Sequence, residues 1–195
     1  MSLFRKRVAG SGIFIAFLFA VASLHAQDIN PINDTFMLEG NIQIAVAISG
    51  NNGILTIAVT ITNNGDEKVV LNKNFLDWYP VHLADEKGNR GKWVISPNRA
   101  VYTTVGVLAK NIDTIKSGET KTYATRRKYE RTASRFVLYH PYFDGDYNFF
   151  ENAKSVSIII FNRYYPSEIS TMQSLVEDAV LLPDFSKAYV LAEFE

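Results

Sequence analysis

Two histidines, His82 and His140, stand out as possible metal ligands or proton carriers beyond the N-terminal segment. His82 lies between Val81 and Leu83 and points to the opposite face of an apolar run, while His140 directly precedes Pro141. A zinc centre needs three or four converging ligands, and the chain has no cysteine and no paired-histidine spacing to supply them. Both residues read as isolated surface histidines, with no metal and no cofactor expected.

Oxygen ligands fare little better. Asp144, Asp146 and Asn148 alternate as the start of a calcium loop would, but Phe149 stands where the sharp turn needs glycine. Ser155 replaces the bidentate glutamate at the twelfth position, so an acidic turn between strands is the simpler reading. There is no Gly-x-Ser-x-Gly elbow and no cysteine nucleophile. Glu67, Asp77 and Glu151 are carboxylates of the kind a glycosidase pairs, but pairing depends on spatial separation, and generic surface acids are the default. No glycine-rich phosphate loop occurs. The chain is expected not to be an enzyme.

Charge and aromatic residues carry more information. Lys110 to Arg135 holds eight basic residues against Asp113, Glu119 and Glu130, a local excess of +5, whereas Asp144 to Glu195 runs to −6. Arg126, Arg127, Lys128, Tyr129 and Arg131 form the densest basic stretch, able to meet an anionic polymer or an acidic protein. The bland alternatives are a solvated loop, or two halves that face each other within the fold. Adjacent aromatics, Trp78-Tyr79 and Tyr164-Tyr165 above all, suggest sugar stacking or a protein interface, because neighbours in a strand point to opposite faces.

These side chains sit in a chain of 195 residues whose start reads as an export signal. Arg5, Lys6 and Arg7 precede an uncharged apolar run from Gly12 to Ala22, and Ala26 closes a cleavage site. The rival reading is a retained anchor, since the uncharged run from Val8 to Ala26 approaches a membrane span in length. Without residues 1–26 the chain holds 17 basic and 20 acidic residues, a net charge of −3 that argues against nucleic acid as partner. Export without cysteine points to a bacterial periplasmic or secreted protein, with no membrane association after cleavage.

The elements that position the candidates are strands. Leu55, Ile57, Val59 and Ile61 alternate with Thr56, Ala58, Thr60 and Thr62, a period of two that separates a core face from a hydrated one. Ile42, Ile44, Val46 and Ile48 repeat the pattern, and Ser49-Gly50-Asn51-Asn52-Gly53 joins the two runs as a hairpin. Asn63-Asn64-Gly65-Asp66 reads as a second tight turn, with the strand at Lys68 to Leu71 returning beside its predecessor. Residues 27–40 lack periodicity and carry Pro31, so they read as an extended lead-in or linker to a single domain over 41–195. Further strands are expected at Val81 to Ala84, Lys92 to Ile95, Ala100 to Leu108, Thr120 to Arg126, Phe136 to Tyr139, Val156 to Asn162 and Ala188 to Phe194. Ile169, Met172, Val176 and Ala179 are spaced for one helix over Ser167 to Leu182, with Ser170 and Gln173 at capping-box spacing. The fold class is all-β, an antiparallel sandwich with one short helix near the C-terminus.

From Leu55 to Lys121 the order of features resembles bacterial immunoglobulin-like sandwiches of the intracellular proteinase inhibitor (BsuPI) type and related secreted domains. The residues that carry the likeness are Thr62-Asn63-Asn64-Gly65-Asp66, then Leu83-Ala84-Asp85-Glu86-Lys87-Gly88 with Trp93, then Ile115-Lys116-Ser117-Gly118-Glu119-Thr120-Lys121. Ser117 stands where that family commonly has proline, and the chain beyond Lys121 has no counterpart. The resemblance implies an immunoglobulin-like fold and, as one function, proteinase inhibition. The reading drawn from the residues is a non-enzymatic exported module that recognises a protein or an envelope polymer near Trp78, Arg126 to Arg131 and Tyr164-Tyr165. An accessory carbohydrate-binding module is the remaining alternative.

Overall fold

Asn52 and Gly53 both take positive φ, 51° and 72°, the pair of left-handed residues that a two-residue hairpin turn requires. They join strand β2 (Ile42–Asn51) to β3 (Ile54–Asn63) in unbroken antiparallel register. Ile44 thereby faces Ile61, Val46 faces Val59 and Ile48 faces Ile57, all six at most 2% exposed. Full burial of each such side chain contributes about 1.5–3 kcal/mol, which makes this hairpin a large contributor to the core.

The computed structural model describes residues 28–73, 75–78, 82–85, 109–132, 135–139, 146–151, 154–164, 166–176 and 178–194. Besides β2 and β3, these form β1 (Ile29–Leu38), β4 (Lys68–Asn72), β5 (His82–Asp85), β6 (Ile112–Ile115), β7 (Thr120–Arg131) and β8 (Arg135–Tyr139). Four more strands follow: β9 (Asp146–Glu151), β10 (Ser155–Asn162), β11 (Ala179–Leu181) and β12 (Phe185–Glu193). Helices α1 (Phe75–Trp78) and α2 (Pro166–Leu175) interrupt them. The protein is thus mostly β, and every strand pair is antiparallel except β11 with β4. A six-stranded sheet runs β1-β2-β3-β7-β8-β9, and two three-stranded sheets run β12-β10-β5 and β11-β4-β6. One hydrophobic cluster draws buried residues from all three, including Ile57, Leu71, Ile115, Ile158 and Leu191.

Three expectations change. Residues 27–40 hold a paired edge strand, since Ile29–Leu38 runs beside β2. The register shifts between Ile29 and Ile32, so Pro31, which has no N–H to donate, falls in an irregularity where none is needed. Beyond it Ile32, Asp34, Phe36 and Leu38 turn inward with period two, and the acid among them hid the pattern.

The turn after β3 closes no hairpin. Its free edge is taken by β7, and β4 crosses to another sheet. Asn63 makes the crossing possible: fully buried, its amide donates to Glu67 O at 2.7 Å and Ile115 O at 3.1 Å and accepts from Gly65 N at 3.0 Å. Its backbone N donates to Glu119 O and its carbonyl accepts from Gly118 N. One side chain therefore stitches the β3–β4 crossing to the β6–β7 crossing. Each buried polar group there has a partner, which is what lets a polar residue sit at zero exposure.

Helix α2 is shorter than the apolar spacing suggests. Pro166 opens it, as suits a residue with no N–H, and Ser170 lies inside it, donating to Pro166 O at 3.1 Å instead of capping a start. Asp178 takes a φ of 53° after the helix, and Ala179–Leu181 then leaves as β11 beside β4. The aromatic segment at Phe75 is a helical turn, α1.

Candidate functional site

The basic run of residues 126–131 lies within β7, and strand alternation divides it. Arg127 (8% exposed) and Tyr129 (1%) point into the core, Arg131 is half-buried on the same face, and only Arg126 and Lys128 are exposed. The expected continuous basic surface is therefore split between two faces. Arg127 Nη2 donates to Leu76 O at 3.3 Å, and Tyr129 stacks on Phe136 with ring centroids 5.8 Å apart. Arg131 Nη1 lies 3.4 Å from Asp28 O. These inward residues act in packing.

Of the aromatic candidates only Tyr164 has a described side chain. Tyr164 packs against the small cluster of Val70 and Met172, where burial raises its phenol pKa, with Asp184 and Glu168 pushing the same way. The backbone of Trp78 ends α1, while its side chain and all of Tyr79 and Tyr165 lie outside the described residues. The same holds for His140 and for Asp144 and Gly145, whereas Asp146 to Asn148 belong to strand β9. Residues 92–95 and 100–108 and the N-terminal segment are likewise outside. Among the described residues no group of three or more His, Asp or Glu side chains could hold a metal, and no helix is long and apolar enough to cross a membrane.

A different surface assembles around Arg126 and Lys128. Register places Thr35, Ala45, Thr60 and Thr122 in one row across β1, β2, β3 and β7, with Met37, Gln43, Thr62 and Thr120 in the next. On the other side come Asn33, Ala47, Ala58 and Ala124, then Ser49, Thr56 and Arg126, then Asn51, Ile54 and Lys128. All share the face opposite the core. In a chain with 20 acidic residues, no carboxylate occurs among these side chains; the first is Glu130, at the far end of β7. Alternation explains the placement, but the absence of carboxylates depends on β1 and β7 flanking the hairpin.

Two hydroxyl pairs order the middle of this face. Thr60 Oγ1 lies 2.8 Å from Thr122 Oγ1, and Thr62 Oγ1 lies 2.9 Å from Thr120 Oγ1. Each hydroxyl spends one bond on its cross-strand mate and keeps capacity for another. Lys128 Nζ rests 5.1 Å from the centroid of the Tyr139 ring, and Arg126 has no carboxylate partner among the described residues. The arrangement can hydrogen-bond a polar ligand and neutralise an anion at one end.

A separate cavity of about 560 Å³ opens beside Asn63, lined by Glu39, Asp66 and Glu67 together with Ile42, Val69 and Leu181. Among the described residues none that lines it is basic or a histidine.

The aspartates bound to lysine and tyrosine are structural. Lys121 Nζ meets Asp113 Oδ1 at 2.7 Å and Tyr123 Oη donates to Asp113 Oδ2 at 2.9 Å. Lys187 Nζ and Tyr189 Oη converge on Asp34 Oδ2 at 2.6 and 2.8 Å. Burial and the neighbouring aspartate push both tyrosines up, Tyr123 by Asp113 and Tyr189 by Asp34, opposite to what a tyrosine base needs. Compared with protein-family models, curated proteins and solved structures, the chain matches none.

Proposed function

We propose that the protein is a non-enzymatic binding module of the bacterial envelope or its surroundings, exported by its N-terminal segment. In this reading its fold is an immunoglobulin-like sandwich, and its ligand lies on the outward face of β1, β2, β3 and β7. The observation that carries the reading is the composition of that face: hydroxyl, amide and small apolar groups across four strands, the larger Met37 and Ile54 in its first and last rows, with Arg126 and Lys128 at one end and no carboxylate before Glu130. A face selected only for solubility carries charges of both signs, at roughly a quarter to a third of its residues. Short neutral side chains avoid the cost of stripping water from ions when a ligand lands. The two smaller sheets and the shared core leave this face in solvent, which supports a two-layer reading of the fold. The non-enzymatic half rests on the sequence, which offers no cysteine nucleophile and no serine elbow.

Retention of the mature chain on immobilised envelope material tests the reading. The native protein should be retained, and Thr60→Glu/Thr122→Glu, which plants two carboxylates mid-face, should pass through while keeping its melting profile. Equal retention of the two would place the binding surface elsewhere and end this assignment.

A further inference from the structure

We infer that the ligand of this face is a linear acidic polysaccharide, laid flat with its carboxylates against Arg126 and Lys128; this rests on the face being the binding surface. Three features select that chemistry. First, Arg126 and Lys128 are two apart in β7, so their heads leave the same face about 6.7 Å apart along the strand. Such a pair matches anionic groups repeated along a chain. Arg126 has no competing carboxylate among the described residues, and Lys128 is steadied over the Tyr139 ring.

Second, the rest of the surface is rich in groups that both donate and accept. The hydroxyls of Thr60, Thr62, Thr120 and Thr122 are held by their mutual bonds, so little rotamer freedom is lost when a ligand hydroxyl joins them. A sugar ribbon presents hydroxyls densely over a flat area, which short side chains on a sheet can reach.

Third, the other anionic polymers fit less well. An acidic protein segment would dock on clustered apolar anchors or add to the edge of β1, whereas the exposed apolar residues of this face, Met37 and Ile54, stand in its first and last rows, and Arg126 and Lys128 lie on β7, three strands from that edge. Nucleic acid binding draws on many phosphate contacts at once, against two cations here.

The test uses the mature full chain in affinity electrophoresis and titration calorimetry at low salt. Polygalacturonate and hyaluronate are the acidic probes, dextran the neutral one and poly-L-glutamate the acidic peptide. The inference expects binding to an acidic glycan that weakens as sodium chloride rises, falls at least tenfold in Arg126→Gln/Lys128→Gln, falls less in Thr60→Ala/Thr122→Ala, and is unchanged in Lys154→Gln. Poly-L-glutamate bound as tightly as the glycans would reduce the surface to bare charge and overturn the inference. So would dextran binding that survives Arg126→Gln/Lys128→Gln, or binding of neither acidic glycan. In these last cases, loss of envelope retention by Thr60→Glu/Thr122→Glu would still uphold the face as a binding surface, and the two failures are told apart.

Discussion

Lys187 on β12 and Asp34 on β1 belong to different sheets, and Nζ meets Oδ2 at 2.6 Å with Tyr189 Oη on the same oxygen. Asp113 on β6 repeats the relationship with Lys121 and Tyr123 on β7. In each case a lysine and a tyrosine two residues apart on one strand clasp an aspartate of another sheet. The six-stranded sheet supplies the aspartate at one seam and the lysine and tyrosine at the other. Among the described residues each of the smaller sheets has one such clasp.

Acid should loosen both clasps. Hydrogen bonds from Lys187 and Tyr189 hold Asp34 below its ordinary 3.8, and at Asp113 burial raises the pKa but the bonds from Lys121, Tyr123 and Thr114 outweigh it. A depressed folded pKa means the contribution is complete above the unfolded value and is lost as pH falls through the folded one. The melting temperature of the native protein should therefore exceed that of Asp34→Asn/Asp113→Asn by a constant margin from pH 5 to 7, and the margin should shrink below about pH 4. A margin independent of pH down to 2 would refute the assignment.

Alkali acts through the tyrosines. Burial, the largest of their influences, raises Tyr123, Tyr164 and Tyr189 well above 10.0. A raised folded pKa gives stability that is complete below the unfolded value and is lost as pH climbs towards the folded one. Spectrophotometric titration should show these phenols ionising together with unfolding, above the pH at which exposed tyrosines titrate; ionisation near pH 10 in the folded protein would contradict their burial.

Asn63→Ala should cost about 1–3 kcal/mol, since it strands the buried carbonyl of Ile115, with the part-buried carbonyl of Glu67 and N–H of Gly65 losing their partner as well. Urea titration should show a lowered midpoint with an unchanged slope. A loss below 0.5 kcal/mol, the ordinary surface range, would mean that the two crossings do not depend on this amide.

Gly65 and Gly118 separate two reasons for glycine. A Cβ at Gly65 would stand 2.5 Å from Gly40 O, a backbone atom, whereas at Gly118 it would meet nothing within 4 Å and only the φ of 72° opposes it. Gly118→Ala should cost about 1–2 kcal/mol, and Gly65→Ala more, in parallel thermal melts. The reverse order would show that the crossing yields more readily than the turn.

Arg126 and Arg127 give a paired test of alternation. Arg127→Ala, which removes a buried guanidinium bonded to Leu76 O, should destabilise by about 1.5–3 kcal/mol. Arg126→Ala should stay within about 0.5 kcal/mol. Equal effects would mean that β7 presents the wrong face.

The hairpin of β2 and β3 was legible because eight apolar residues keep a strict period of two and Asn-Gly is a turn with few alternatives. β1 was not, because Pro31 and Asp34 broke its pattern, and the partners that make an inward aspartate acceptable, Lys187 and Tyr189, lie over 150 residues away in sequence. Asn63-Asn64-Gly65-Asp66 has hairpin composition, yet the choice between hairpin and crossing rests on which strand takes the free edge of β3. The basic run read as one surface because a sequence shows charge but not the buried carbonyl of Leu76 that accepts from Arg127. Arg126 and Lys128 survive as surface candidates, while the neutral rows beside them needed the register of four strands to appear.

The pairing of β3 with two partners of unequal distance sets an order of events in folding. Closing β2 on β3 spans only the Asn52-Gly53 turn, a step of microseconds in isolated hairpins. Seating β7 on the opposite edge joins Thr62 to Thr120 across 58 positions and must first meet the entropy of closing that long loop. Until it arrives, β3 offers a bare, apolar, ten-residue edge, so the nascent chain passes through an interval in which self-association competes with β7.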